Sequence, residues 1–131
     1  MAKFNPDSWP ACWILSLIAQ DNIAAFYHSP QWYRFKRDIL RKHPHRCYLC
    51  ERKKPARLTL LRMPWEKPKG SDDKRPVAIV HHVNEVRQRP DLALSEQDEA
   101  GKPNVIVICP ACHWNEHHKR SALAEKIPER W

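Results

Sequence analysis

Two Cys-x-x-Cys pairs constrain the fold of this 131-residue chain more than any other feature: Cys47 with Cys50, and Cys109 with Cys112. A turn of this kind directs two sulfur atoms at one ion, so two turns can form a tetrahedral thiolate cage, the preferred structural site for zinc. Closing the long loop between the pairs costs about 4 kcal/mol on the chain-entropy model. Structural zinc supplies roughly 10–16 kcal/mol at neutral pH. The spacing therefore predicts a structural Zn²⁺ site with no open coordination position.

Three alternatives compete with this cage: a redox-active pair, buried apolar cysteines, and a cage of three cysteines and one histidine in which His113 replaces one thiolate. A redox-active pair normally lies at the start of a helix in a thioredoxin-like fold. Such a fold needs one pair and not two. The fifth cysteine, Cys12, stands alone. This cysteine usage indicates metal binding in a reducing compartment, so we expect a cytoplasmic protein. The apolar stretch 11–19 is too short for a membrane span, and it lacks the basic start of a signal peptide.

The charge of the chain predicts a polyanionic partner. The formal net charge is +8 and the sequence pI is about 9.5. Charge alone does not separate nucleic acid from anionic lipid. The length fits one domain, and 12 Pro against 2 Gly favour rigid connections over flexible linkers.

Two helices are predicted in the N-terminal third. Ser8 is a candidate cap for a helix over 8–20, whose apolar stripe comprises Trp9, Trp13, Leu17 and Ile18. Ser29 and Pro30 start a second helix that ends near Lys42, before Pro44.

The remaining chain reads as loop, strand, loop, strand and helix. Residues 51–76 are rich in Pro and Lys and predict an inserted loop, with a short strand at 58–61 as an option. The other predicted elements are a strand over 77–83, a polar connection over 87–103, a strand over 105–108 and a helix over 110–125. The fold class is therefore α+β.

Four histidines cluster around the second cysteine pair. His113 and His117 are four residues apart on the last predicted helix, so both project from one face and form a platform for a metal. His81 and His82 end a predicted strand, in which neighbouring side chains point to opposite faces. One of them can therefore ligate metal while the other acts from a different direction. Taken singly, each of these histidines is at least as compatible with an ordinary structural role as with a role in metal binding or catalysis.

The string VHHV followed by N-VIVI-C-PA-C-H-WNE-H resembles the HNH (ββα-metal) endonuclease family, particularly its small phage-associated members with two cysteine pairs. The match covers roughly residues 26–118. It implies a small ββα-metal domain with a four-cysteine zinc site and added N-terminal helices. The implied organisation is a helical extension (1–25), a nuclease domain (26–120) that contains the inserted basic loop, and a C-terminal tail (121–131).

The resemblance also implies a role for each histidine. His82 matches the general base that deprotonates the attacking water, and His81, His113 and His117 match the ligands of one catalytic divalent metal. Asn104 matches the central Asn that fixes the loop orienting the base. Many relatives have Asp at the position of His81. The candidate catalytic ions are Mg²⁺, Mn²⁺, Ni²⁺, Co²⁺ and Zn²⁺, and three imidazoles suit the last four better than Mg²⁺.

The predicted partner is double-stranded DNA, bound with weak sequence preference. A phosphate track is predicted along the second helix and its continuation, comprising Arg34, Arg37, Arg41, Lys42 and Arg46, with Arg52, Lys53 and Lys54 beyond them. The alternative for this run is a solvated helix face. Phage DNA-packaging (terminase) proteins are a candidate partner by analogy, and no membrane is expected. The competing function is a non-catalytic, zinc-stabilised DNA-binding or adaptor protein.

Overall fold

The computed structural model describes residues 4–53 and 59–124, with side chains through Lys119. Its helices are α1 (Ala11–Ala19), α2 (Ala24–Tyr27), α3 (Pro30–Lys42), α4 (Tyr48–Lys53) and α5 (Pro110–Ala124). The strands β1 (Ile79–His82) and β2 (Val105–Ile108) are neighbours in a two-stranded sheet, and a short 3-10 helix (Pro90–Leu92) lies between them in sequence. The chain is therefore α+β, as predicted.

Helix α1 differs from its prediction in both cap and buried face. It begins at Ala11 after Pro10, and the Ser8 hydroxyl donates to the Asn5 carbonyl at 2.7 Å instead of capping the helix. The buried face of α1 consists of Ala11, Ile14 and Leu17, whereas Trp13 and Ile18 of the predicted stripe are half-buried. Trp9 precedes the helix and is 60 % exposed, which makes its assignment to the apolar stripe wrong.

Helix α3 begins and ends as predicted. The Ser29 hydroxyl accepts the backbone N–H of Trp32 at 3.2 Å, which is the expected N-cap bond. The hydroxyl also donates to the carbonyl of Phe26, in the short helix α2 that was not predicted. Trp32, Ile39 and Leu40 form the buried face of α3, and Phe26 is fully buried beside this cap.

Residues 51–76 are more structured than an inserted loop. Helix α4 extends into this segment, and isolated bridges pair Arg46 with Leu60 and Arg62 with Val77. Leu61 and Met63 are buried. Residues 54–58 lie outside the described residues, so the optional strand over 58–61 is represented only by the bridge at Leu60, and Lys54 has no described position.

The C-terminal elements follow the predicted order. Strand β2 has the predicted bounds, and all four of its residues are buried. Strand β1 is shorter than the predicted 77–83. The polar connection 87–103 contains the 3-10 helix and buries Leu92 and Ala93, so it is not a purely solvated loop. Helix α5 starts at Pro110 as predicted, and residues 125–131 of the predicted tail lie outside the described residues.

Internal contacts divide the chain into two units. Met1–Arg41 and His82–Ile106 form one, and Lys42–His81 and Val107–Trp131 form the other. The first contains eight Lys and Arg against eight Asp and Glu, and the second contains 15 against seven. We call them the neutral unit and the basic unit, because the whole net charge of +8 belongs to the second. No helix within the described residues is long and apolar enough to cross a membrane.

Candidate metal centres

The four predicted zinc ligands lie together in the basic unit. Cys50 Sγ is 3.6 Å from Cys112 Sγ and 3.9 Å from Cys109 Sγ, and Cys47 Sγ is 3.8 Å from Cys112 Sγ. Four sulfurs at about 2.3 Å from a tetrahedral Zn²⁺ lie about 3.8 Å from one another. The cluster is therefore geometrically suited to hold a metal ion, and zinc fits both its spacing and its donor atoms.

The backbone around Cys47 also suits a thiolate. The N–H groups of Cys50 and Cys109 donate to Cys47 Sγ at 3.4 and 3.3 Å, so each cysteine pair contributes one donor to the same sulfur. Cys109 follows strand β2 directly, and Cys112 lies in the first turn of α5. The second pair is thus held by two regular elements, which fixes where its sulfurs point.

Burial opposes ionisation of these thiols when no cation is bound. Desolvation raises the pKa of Cys47 and the pKa of Cys112, whereas a hydrogen bond with Thr59 lowers the pKa of Cys50. A bound metal ion reverses this balance, because a coordinating thiol is deprotonated outright. The site is therefore built for an ion that replaces the thiol protons.

A second cluster in the basic unit consists of His81, His113 and His117, whose ligand nitrogens all lie within 4.8 Å of one another. Nε2 of His113 is 2.8 Å from Nε2 of His117, and the His81 ring centroid is 5.6 and 6.0 Å from the centroids of the other two rings. Nitrogens about 2.1 Å from one cation lie roughly 3.0–3.4 Å apart. The three imidazoles therefore fit one ion with little rearrangement. His113 groups with the histidines and not with the four cysteines, which disfavours the alternative cage of three cysteines and one histidine.

His82, the next residue of β1, has different surroundings from His81. It is buried in the neutral unit, where its ring stacks on Trp32 with centroids 5.0 Å apart. Nε2 lies 2.9 Å from the carbonyl oxygen of Ala93. A carbonyl only accepts hydrogen bonds, so Nε2 carries a proton and the lone pair of the neutral ring is on Nδ1. The two neighbouring histidines thus serve different surroundings, as strand alternation predicted.

Asn104 fixes the segment that holds His82. Its side chain is fully buried, and Nδ2 donates to the carbonyls of Leu92 at 2.7 Å and Ser95 at 2.9 Å. Its Oδ1 accepts the side-chain N–H of Asn84 at 2.8 Å. Ala93, whose carbonyl forms the hydrogen bond with His82, lies in sequence between Leu92 and Ser95, whose carbonyls accept from Asn104. The buried side chain of Asn104 therefore holds the 92–95 segment in place.

The predicted phosphate track is divided between the units. Arg34, Arg37 and Arg41 lie on α3 in the neutral unit, and Lys42 and Arg46 belong to the basic unit. All five are exposed. Arg37 lies 3.7 Å from Asp38, and Arg46 lies 3.5 Å from Glu51, so each of these two also has a carboxylate neighbour. Their role in DNA binding stays a prediction.

Sequence reasoning missed the groups that orient His82 through the backbone or through packing. Ala93 acts through its carbonyl, which no side-chain pattern reveals. Trp32 lies on the second predicted helix but was not connected with His82, and Asn84 was not singled out.

A comparison with protein families, with curated proteins and with solved structures finds no match to this chain.

Proposed function

We propose that this protein is a metal-dependent endonuclease of the HNH (ββα-metal) type that hydrolyses phosphodiester bonds of DNA. One observation carries the proposal: three imidazoles converge within 4.8 Å of one another, while the next residue of the same strand is a fourth histidine held by a separate carbonyl. A purely structural role for the histidines would not require two consecutive histidines with such different surroundings.

His81, His113 and His117 would hold the catalytic cation. Such an ion supplies Lewis acidity at the phosphoryl and leaving oxygens. Three protein ligands leave coordination positions open for a substrate, whereas the four-cysteine cluster leaves none. The two clusters therefore suit different tasks, one catalytic and one structural. Imidazole donors favour Zn²⁺, Ni²⁺, Co²⁺ or Mn²⁺ over Mg²⁺.

His82 would act as the general base at Nδ1. The Ala93 carbonyl accepts the Nε2 proton, so it selects the tautomer whose Nδ1 can take a proton from water. The same carbonyl favours the imidazolium that forms when this proton arrives, because a hydrogen bond to a charged donor is the stronger one. Stacking on Trp32 fixes the plane of the ring. The proposed base and one proposed metal ligand are consecutive residues of β1, with Cα atoms about 3.8 Å apart.

The charge of the basic unit supports a DNA substrate. Both candidate metal clusters belong to this unit, which carries the whole net charge of +8. Cationic surface attracts the phosphate backbone independently of sequence, and we therefore propose double-stranded DNA cut with weak sequence preference. A non-catalytic DNA-binding or adaptor protein would share the charge and the cysteines but would leave the histidine cluster without a role.

Nicking of supercoiled plasmid with each of Mg²⁺, Mn²⁺, Ni²⁺, Co²⁺ and Zn²⁺ tests the proposal. His113→Ala should lose cleavage and bind one fewer metal ion, while zinc held by the cysteines is retained. His82→Ala should lower the rate about 10²–10⁴-fold with unchanged metal content, the usual range for a general base. His118→Ala is the matched control, because His118 lies on α5 outside the cluster and stacks on Trp114. Undiminished cleavage by His113→Ala, or DNA binding by wild type without cleavage under any metal, would contradict the proposal.

A further inference from the structure

An open surface pocket of about 790 Å³ lies within the basic unit, lined by Leu60 and residues 69–76. Its volume is within the range of about 300–1,000 Å³ that ligand sites occupy in proteins. The lining includes none of the cysteines or histidines of the two metal clusters. The pocket is therefore a separate feature of the same unit, and neither cluster accounts for it.

Asp73 holds one wall of this pocket in shape. Its carboxylate, in a side chain that is 4 % exposed, accepts the backbone N–H groups of Lys69 at 2.9 Å and Arg75 at 3.1 Å. The same carboxylate pairs with the Arg75 guanidinium at 3.0 and 2.9 Å. The Asp73 N–H donates to the carbonyl of Gly70 at 3.2 Å, which closes the loop. A wall ordered by the chain's own bonds loses less entropy when a ligand binds.

Three charged side chains of the pocket remain for a ligand: Lys69, Lys74 and Asp72. All three are exposed, and none of them forms an ion pair with another described residue. Asp73 and Arg75 neutralise each other and do not alter this count. Two positive charges against one negative charge favour an anion. A lysine binds phosphate as a point charge, without the fixed geometry that an arginine requires.

The pocket also offers apolar surface beside these charges. Leu60 is 56 % exposed, and Pro76 at the other end of the lining is half-buried. A single exposed Leu is ordinary on a protein surface, but this one shares a pocket with two lysines. An anion that carries apolar groups, such as a sugar–phosphate chain, matches this combination better than a bare phosphate does.

The place of the pocket favours nucleic acid over an anionic lipid or an acidic peptide. The pocket and the histidine cluster belong to the same unit, which carries the whole net charge of +8. Pro76 precedes His81 by five residues, so the chain separates their Cα atoms by at most about 17 Å. At about 3.4 Å of helix axis per nucleotide, this reach corresponds to about five nucleotides on one strand.

We propose that this pocket binds the sugar–phosphate backbone of DNA within about five nucleotides of the cleaved bond. Lys69 and Lys74 contact phosphates, and Leu60 packs against a deoxyribose. Contacts of this kind position a strand without reading its bases, which agrees with the weak sequence preference proposed above. The inference rests on the proposed function for its substrate class.

Binding of a fluorescently labelled duplex to the zinc-loaded full chain, without added divalent metal, tests this role independently of cleavage. In anisotropy titrations between 50 and 200 mM NaCl, Lys69→Met and Lys74→Met should each reduce the slope of log K against log salt by about one. The double variant should reduce it by about two. The corresponding loss of affinity near 0.1 M salt is roughly eightfold for each lysine.

Lys67→Met is the matched control, because Lys67 is an exposed lysine two residues before Lys69 that does not line the pocket. It loses the same charge and should change the slope by less than half as much. Asp72→Asn should act in the opposite sense and tighten binding, because it removes a carboxylate from the pocket. All of these side chains are exposed, so the variants should melt like wild type.

An unchanged slope for the double variant would overturn the inference. So would equal losses for Lys67→Met and Lys69→Met, which would show that the charge of the segment acts without the pocket. Binding of polyglutamate or of phosphatidylserine vesicles that depends on both lysines, with duplex binding unaffected, would identify an acidic protein or an anionic lipid as the ligand instead.

The two proposals fail in distinguishable ways. Reduced salt slopes in a chain that never cuts DNA would retain the pocket as a DNA contact and remove the nuclease. Normal nicking with unchanged slopes would retain the nuclease and remove the pocket.

Discussion

The two units of this protein satisfy their polar groups by different means. In the neutral unit, basic and acidic residues are equal in number, and the Asn104 side chain pairs with carbonyls and with Asn84 inside the chain. In the basic unit, four sulfurs and three imidazoles are instead gathered against one another. Both clusters are spaced so that they could hold metal ions, and we therefore expect the second unit to depend on ions from outside the chain.

This difference separates what each unit contributes to the proposed function. The neutral unit is organised by hydrogen bonds that exist before any ligand arrives, and these bonds determine the tautomer of His82. The basic unit supplies the metal ligands and the attraction for a polyanion. Folding of the basic unit should therefore depend on metal, whereas the surroundings of His82 should depend on its own hydrogen bonds.

Loss of the thiolate cage should have the largest effect on stability. Cys109→Ser removes one of four zinc ligands and the strand-end anchor of the second pair. Structural zinc supplies roughly 10–16 kcal/mol, which is comparable to or greater than the roughly 5–15 kcal/mol of net stability of a typical domain. We expect the variant to lose zinc and to be unfolded at 37 °C, so that it shows no cooperative transition on heating. Zinc content by elemental analysis and circular dichroism on heating provide the measurement.

Cys12→Ser is the control for this variant, because Cys12 is exposed and lies outside both clusters. It should retain zinc and melt like wild type. A normal melting curve for Cys109→Ser would mean that the basic unit does not depend on its ion. The expected difference in metal dependence between the two units would then be wrong.

Removing the Asn104 amide should have the next largest effect, and in the other unit. Asn104→Ala removes the side-chain donor from the carbonyls of Leu92 and Ser95. The Leu92 carbonyl keeps the N–H of Ser95 at 3.1 Å, so the main cost falls on the Ser95 carbonyl, and an unsatisfied buried group costs about 1–3 kcal/mol. We expect a loss of roughly 1–3 kcal/mol in the free energy of unfolding and at least a tenfold slower nicking rate with unchanged zinc content. Chemical denaturation and plasmid nicking measure the two effects.

Asn84→Ala offers a graded comparison, because the Asn84 side chain donates to Asn104 Oδ1 and its removal leaves both loop carbonyls with the Asn104 donor. It should lose less stability and less activity than Asn104→Ala. Equal nicking by Asn104→Ala and wild type would show that the 92–95 segment orients nothing needed for cleavage.

The sequence predicted the elements whose signals are local. The cysteine spacing identified every member of the first cluster, and the i, i+4 separation identified His113 and His117 of the second. His81 was assigned to the second cluster through the family resemblance. Ser29 and Pro30 marked the start of α3 because a cap and a proline act within a single turn. Each of these signals depends on a few neighbouring residues.

The remaining features depend on contacts between distant residues. A hydroxyl at Ser8 resembles a cap, but its acceptor is the Asn5 carbonyl and α1 starts later. The carbonyl of Ala93 orients His82 across a gap of eleven residues, and a backbone carbonyl is the same in every amino acid. Likewise, nothing in the sequence shows that Arg89 pairs with both Asp91 and Glu99.

The smallest expected effect concerns the ion pair between Asp73 and Arg75 in the basic unit. Two-pronged contact with Arg75 at 3.0 and 2.9 Å, together with the N–H of Lys69, holds the pKa of Asp73 well below its ordinary range. A lowered carboxyl pKa stabilises the fold fully above the unfolded value of about 3.9, and this stabilisation declines as the pH falls below it. Asp73→Asn should therefore melt a few degrees below wild type at pH 7, and this difference should shrink below pH 4.

Asp72→Asn is the control for this pH dependence, because Asp72 is the exposed neighbour of Asp73 in the same loop. Both variants keep the same four cysteines. Acid weakens zinc binding by protonating the thiolates, but it does so in both variants, so the difference between them isolates Asp73. A difference that stays constant from pH 7 to pH 3 would mean that Asp73 acts through shape and not charge. The Asp73–Arg75 pair would then contribute no charge-dependent stability to the basic unit.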